Sequence, residues 1–203
     1  MNRRISPYAI ALLTLLGSTV PANGQVGLMA GYNRNWLADI DLGNATIELA
    51  GADGYHLGMF LNFRLPVIQV RPAIVYHRIT DLQVVGPQDT TTFSIDMIDL
   101  PIDLRVRFPL LPIVKPYILA APVLSFPSTG NDRIGPALNS SVFRVDVGFG
   151  VEINLGLRLW PEVRLGFGVT DFFGTEIDLR QEPITLERGI RLDTLMISLG
   201  ASF

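Results

Sequence analysis

Ionisable residues recur at every second position along several stretches of this chain. Asp99, Asp103, Arg105 and Arg107 share one parity of residues 98–108. Arg144, Asp146 and Glu152 share one parity of residues 143–155, Glu162 and Arg164 open a third set, and Arg71 lies in a fourth. Paired carboxylates can serve as acid and base. Asp99 and Asp103, however, stand four residues apart on an extended chain, roughly 13 Å, too far for a retaining glycosidase pair. Arg105 and Arg107 are nearer to each of them, so ion pairing accounts for the set. His56 and His77 form a conceivable metal pair, but no third ligand stands at a usual spacing, and both are read as polar interior or rim residues. No serine is accompanied by a histidine and an acid. Gly148, Gly150, Gly166 and Gly168 alternate along extended segments, which fits close packing of interior side chains rather than a phosphate-cradling loop. The chain has no Cys, which excludes disulfides, thiol chemistry, Cys-based zinc sites and a lipoprotein anchor. No catalytic residue, metal or cofactor is expected. The expected constellation is an ion-pair network of Arg71, Asp99, Asp103, Arg105, Arg107, Arg144, Asp146, Glu152, Glu162 and Arg164.

The elements that carry these residues are strands. Residues 98–108 alternate Ile98, Leu100, Ile102, Leu104, Val106 and Phe108 with Asp99, Pro101, Asp103, Arg105 and Arg107. That is period two over a whole element. Residues 143–155, 161–170 and 195–203 repeat the pattern. Residues 26–33, 55–64 and 67–79 read as strands too. Residues 113–126 are apolar on both faces except at Lys115 and Ser125, so their facing is open. Pro72, Pro101, Pro116 and Pro122 fall inside these strands, and each suggests a bulge or local break because proline removes a ladder donor. Connectors alternate in length: short at 65–66, 109–112 and 156–160, long near 34–53, 80–91, 127–141 and 174–188. No helical apolar spacing is found beyond the first residues. An all-β, eight-stranded antiparallel up-and-down barrel gives this layout, with the tight turns and both termini at one end.

Two barrels fit the alternation. A soluble lipocalin-like carrier turns its apolar face inward, whereas a transmembrane barrel turns it outward to lipid and its polar face to the lumen. Both signs of charge on the polar faces favour the second, because eight strands leave an interior just wide enough for side chains to meet and pair. Strand lengths match the roughly 9–11 tilted residues that cross a bilayer. Closure also leaves no unpaired backbone edge in lipid. Hydrophobic residues make up 48% of the chain and charged ones only 17%, yet no apolar run reaches the length of a spanning helix. The net charge of −3 gives no basic face for nucleic acid. Trp36, Trp160, Tyr55, Tyr76, Phe108, Phe126, Phe172 and Phe173 lie near strand ends, where they read as aromatic girdles in preference to caps on a soluble barrel.

The first 24 residues read as an address. Arg3 and Arg4 precede an apolar stretch from Tyr8 to Leu16, and Ala22-Asn23-Gly24 supplies small residues for a signal peptidase. Cleavage is expected between Gly24 and Gln25, which leaves 25–203 as one barrel domain of net charge −5 (14 basic against 19 acidic).

Four segments carry a resemblance. Residues 98–108, then Lys115-Pro116-Tyr117-Ile118-Leu119-Ala120-Ala121-Pro122, then Val147-Gly148-Phe149-Gly150-Val151-Glu152-Ile153, then residues 162–170 resemble, in order and spacing, the PorT-like outer membrane protein beta-barrel family. Ala121 stands where that family usually has Gly, and Phe167 where Tyr is common. Phe203 at the end of an alternating strand resembles the assembly signal of bacterial outer-membrane barrels. The resemblance implies a bacterial outer-membrane barrel whose partners are outer-membrane lipid and the assembly machinery. Secretion-apparatus proteins are further partners, since the name-giving member belongs to such an apparatus. The expected function is a monomeric, non-enzymatic structural or interaction protein with a plugged, charged lumen. A narrow pore, a secretion component and a soluble carrier are the alternatives.

Overall fold

The structure, a computed structural model, describes residues 24–37, 40–41, 46–47, 52–65, 68–85, 90–108, 112–131, 135–173, 176–178, 183–185 and 191–202. Most of the expected signal peptide and the terminal Phe203 lie outside the described residues. Eight long strands form the wall: β1 (Gly24–Leu37), β2 (Ala52–Arg64), β3 (Ile68–Val85), β4 (Thr90–Arg107), β5 (Val114–Ser128), β6 (Val142–Leu155), β7 (Leu157–Gly168) and β8 (Leu192–Ser202). Each pairs antiparallel with its chain neighbours, and β1 pairs with both β2 and β8, which closes the barrel. Two short ribbons, Ile40–Asp41 with Thr46–Ile47 and Glu176–Asp178 with Pro183–Thr185, decorate the end with the long connectors. The opposite end carries the tight turns. Between β6 and β7 the turn narrows to Gly156, whose φ of 90° is a left-handed conformation that suits glycine.

The wall faces as a membrane barrel does. On β4, Ile98, Leu100, Ile102, Leu104 and Val106 are exposed outside, while Asp99, Asp103 and Arg105 are buried inside. The same outward apolar face continues on β6, β7 and β8, with Val147, Phe149, Leu165, Phe167, Ile197 and Leu199 outside. A soluble carrier would need the reverse. The outward apolar run from Ile98 to Phe108 spans ten residue steps, roughly 25 Å along the barrel axis for tilted strands, which is the height of a hydrocarbon band.

The loop-side edge of that band is marked by tyrosines. Tyr32 donates to Asp53, and Tyr76 donates to Asp96 at 2.6 Å, with Arg78 3.5 Å from the same carboxylate. A ring in the apolar zone with its hydroxyl on a charged partner suits an interface. Above this edge the facing chemistry flips without a change of parity. Phe93, Ile95 and Met97 point inward on β4, and Ser94 and Asp96 point outward, as in a protein surrounded by water.

Three expectations are corrected here. The prolines make no bulge, since Pro72↔Ile102 and Val75↔Asp99 share one register, as do Pro101↔Val123 and Leu104↔Ala120. The local breaks do occur, because pairing skips residues 73–74 against 100–101 and 102–103 against 121–122. The register shift lies instead between Ile79 and Leu82. Trp160 is not part of a connector or a girdle; it lies in β7, 1% exposed, and packs inside against Phe60. Phe172 and Phe173 are likewise buried, whereas Trp36, Tyr55, Phe108 and Phe126 do face outward. The facing of β5, left open by its composition, is resolved: Tyr117, Leu119, Ala121, Val123 and Ser125 point in.

Candidate functional site

The lumen is the candidate site, built in layers from inward-facing side chains. At mid-height Glu162 of β7 accepts from Arg71 of β3 at 3.1 Å, from Tyr117 of β5 at 2.7 Å, and from Arg105 and Arg164. Asp103 of β4 accepts from Arg71 at 2.6 Å and from both Nη atoms of Arg164 at 2.9 and 2.7 Å, with Arg105 3.3 Å away. Three guanidiniums and two carboxylates from three strands thus share one buried cluster. Arg71 also lies over the Phe60 ring and Arg105 over the Tyr117 ring, at 4.7 and 4.5 Å. Such cation–π contacts strengthen when desolvated.

The layer above holds Asp99, Arg144 and Asp146. Arg144 donates to Asp99 and to Asp146, each at 2.8 Å. His77 Nδ1 lies 3.1 Å from Asp99, and His56 Nε2 lies 2.9 Å from Ser198 Oγ. The two histidines are opposite in register with ring centres 6.3 Å apart, and among the described residues no group of three or more candidate ligands surrounds them. A cavity of about 20 Å³ lined by His56, Asp99, Arg144, Asp146, Arg164 and Ser198 has room for about one water. The layer below holds Glu152, 2.7 Å from Arg64 and 3.7 Å from Arg107.

All ten charged residues singled out from the sequence line this lumen, nine of them no more than 4% exposed, with Arg107 at the turn-side mouth. Their partners differ in part from expectation. Arg107 meets Glu152 rather than Asp99 or Asp103, and Asp99 is held by Arg144 and His77. Arg64, His77 and Tyr117 join the network although they were not expected in it. Arg64 had a signal, since it has the parity opposite to Tyr55, Leu57, Met59 and Leu61.

Glycines let the side chains fit. A Cβ on Gly150 would lie 2.5 Å from the Tyr117 hydroxyl, and one on Gly166 would lie 2.7 Å from Asp146 Oδ1. Apolar residues fill the space between charges: Met29, Phe60, Ala73, Val75, Leu119 and Trp160 pack together around the Tyr117 ring.

Solved structures share the shape of this closed wall. Neisserial surface protein A superposes with a TM-score of 0.59 at 14% identity, over 90% of this chain and 98% of that one. The outer membrane protein OprG from Pseudomonas aeruginosa superposes at 0.51 and 13% identity, over 89% and 96%. The fold is that of the bacterial outer-membrane barrels. At these identities the likeness concerns fold alone. No protein-family model matches the chain, and no curated protein matches it. The PorT-like resemblance therefore rests on its strand motifs, which occupy the adjacent strands β4, β5, β6 and β7.

Proposed function

We propose that the chain is an integral protein of the bacterial outer membrane, without catalytic activity, with a structural or interaction role and a lumen plugged by its own side chains. The observation that carries this reading is the pairing of an apolar outer wall with a buried charge network across the lumen. Charges taken out of water cost several kcal/mol each unless paired with good geometry. Here Glu162 and Asp103 each meet three arginines, so the network is worth keeping only as a packed filling. A water-filled channel would leave those charges hydrated and mobile. The partners in this reading are outer-membrane lipid along the wall and the assembly machinery at the terminal strand with Phe203. A closed wall has no free edge to pair, which supports a monomer.

A second reading, a component of a protein-secretion apparatus, is favoured by one observation: the motifs that resemble the PorT-like family lie on contiguous strands, one arc of the wall. Crosslinking in cells and recovery of secretion proteins with the barrel would favour it over the first.

The test of the barrel itself is heat-modifiability. Detergent-extracted protein should stay folded in SDS until boiled and then change its migration. Identical migration of boiled and unboiled samples would remove the closed barrel and both readings with it.

A further inference from the structure

Charge is unevenly distributed along the lumen. Through the middle, Arg71, Arg105, Arg144 and Arg164 face Asp99, Asp103, Asp146 and Glu162. At the turn-side mouth the balance fails among the described residues. Arg64 of β2, Arg107 of β4, Lys115 of β5 and Arg158 of β7 have the inward parity of their strands, as does Glu152 of β6. Arg64 and Arg107 reach it at 2.7 and 3.7 Å, and Lys115 is its register partner on β5. Arg158, near the start of β7, is the register partner of Asn154, two residues beyond Glu152 on the same face of β6. The connectors at this end, residues 65–67, 108–113 and 155–157, contain no Asp or Glu, so the turns supply no neutralising charge. Arg64 Nε, Arg107 Nε and Arg158 Nη1 are buried without a partner among the described residues. Asn62, two residues inward from Arg64 on the same face, is fully buried, and neither its Oδ1 nor its Nδ2 has a partner among the described residues.

Like charges crowded at a half-buried mouth destabilise the barrel unless something compensates them. Guanidinium forks match the oxygens of phosphate and carboxylate groups. A single carboxylate carries one charge, whereas a phosphate-type anion carries two or more on clustered oxygens and so can meet several of these cations at once. We propose that the turn-side mouth is a binding site for a soluble phosphate-type oxyanion, held by Arg64, Arg107, Lys115 and Arg158. The source is solution rather than lipid, because these side chains face the lumen while the outer wall at this level presents Val26, Leu65, Ile68, Phe108, Ile113 and Leu155. The proposal rests on the barrel reading for its access from the aqueous side at which the turns open.

The test uses the full mature chain in phosphatidylcholine nanodiscs, titrated with pyrophosphate by calorimetry at constant ionic strength, with chloride as the control anion. Saturable binding is expected. Lys115→Gln and Arg158→Gln should each weaken it about tenfold or more, the scale of one charge-assisted hydrogen bond. Arg78→Gln, on the outer surface, should bind as the wild type does. Heat-modifiable migration of every variant shows that the barrel is intact, so a lost site and a lost barrel give different readings. Absence of saturable binding to the wild type, or unchanged affinity in both mouth variants, overturns the proposal. Stabilisation by phosphatidylglycerol nanodiscs with no response to free pyrophosphate overturns it as well, since it would assign the anion to lipid.

Discussion

Glu162 is the residue on which the lumen converges. Its two oxygens serve Arg71, Arg105, Arg164 and Tyr117, and it lies only 3% exposed. Glu162→Gln keeps the shape and removes the charge, leaving three buried guanidiniums to Asp103. The expected cost is about 3–5 kcal/mol, the usual result of stripping one partner from a buried ion pair. Urea unfolding in detergent micelles measures it, and wild-type stability for the variant would show that the cluster is hydrated rather than packed. On the outer surface, the Arg78–Asp96 pair is more than a third exposed on both sides, and Arg78→Gln should leave stability nearly unchanged, as exposed pairs generally do. The membership of this network was legible in the sequence because side chains alternate faces along a strand, so Asp99, Asp103, Arg105 and Arg107 had to share one side. The pairing was not legible. Partners such as Arg71 and Glu162 come from strands on different parts of the wall and meet across the lumen, at a height set by strand stagger rather than by spacing in the chain. For the same reason Arg107 lies against Glu152 of β6 and not against the acids of its own strand.

Strand β4 tests the facing, because neighbouring residues on it meet opposite surroundings. Ile102 is 49% exposed on the outer wall, and Asp103 is 1% exposed in the lumen. Ile102→Arg places a cation in hydrocarbon near mid-depth and should cost about 2–4 kcal/mol. Ile102→Leu should cost little, since lipid tails accommodate shape where a packed core does not. Asp103→Leu should destabilise too, because Arg71 and Arg164 lose a shared acceptor. Free labelling of a cysteine at position 103 by a water-soluble reagent, together with wild-type stability for Asp103→Leu, would reverse the assignment of faces. A second element-level expectation concerns β6 against its neighbours. Gly150→Ala puts a methyl 2.5 Å from the Tyr117 hydroxyl and 2.7 Å from the Pro161 carbonyl. The variant should therefore lose about 1–3 kcal/mol, the range for overpacking, and the same unfolding assay would detect it. Eight strands and their facing were readable wherever period two ran unbroken. What escaped was the reach of β3 and β4, which continue through Val85 and from Thr90. There the register shift between Ile79 and Leu82 disturbs the alternation, and beyond the tyrosine edge the inward residues become apolar. Trp160 was misplaced for a related reason. Aromatic rings near strand ends are ambiguous between girdle and lumen until parity is known, and Trp160 shares the parity of Glu162 and Arg164.

At the scale of the whole molecule, the plugged reading proposed above places two seals in series along the lumen. The first is the charged layer at mid-height. The second lies on the loop side, where Ile79, Leu82, Phe93, Ile95, Met97 and Phe172 are almost completely buried. The two exclude ions by different physics: paired charges fill the cross-section of a barrel that is only as wide as its side chains, whereas an apolar constriction gates by dewetting. Seals in series make a specific prediction about conductance in planar bilayers. The wild-type protein should carry no steady ion current. Arg71→Ser combined with Glu162→Ser removes both members of a pair, so it leaves no lone charge from that pair while opening space in the charged layer. Phe93→Ala combined with Met97→Ala thins the apolar layer alone. Each double variant should remain silent, because the other layer still blocks the path. The quadruple variant should conduct, provided that it still shows heat-modifiable migration. Large, steady current through the wild type would defeat the plugged reading in favour of a pore. Current through one double variant alone would show that the layer left intact in it does not close the lumen by itself.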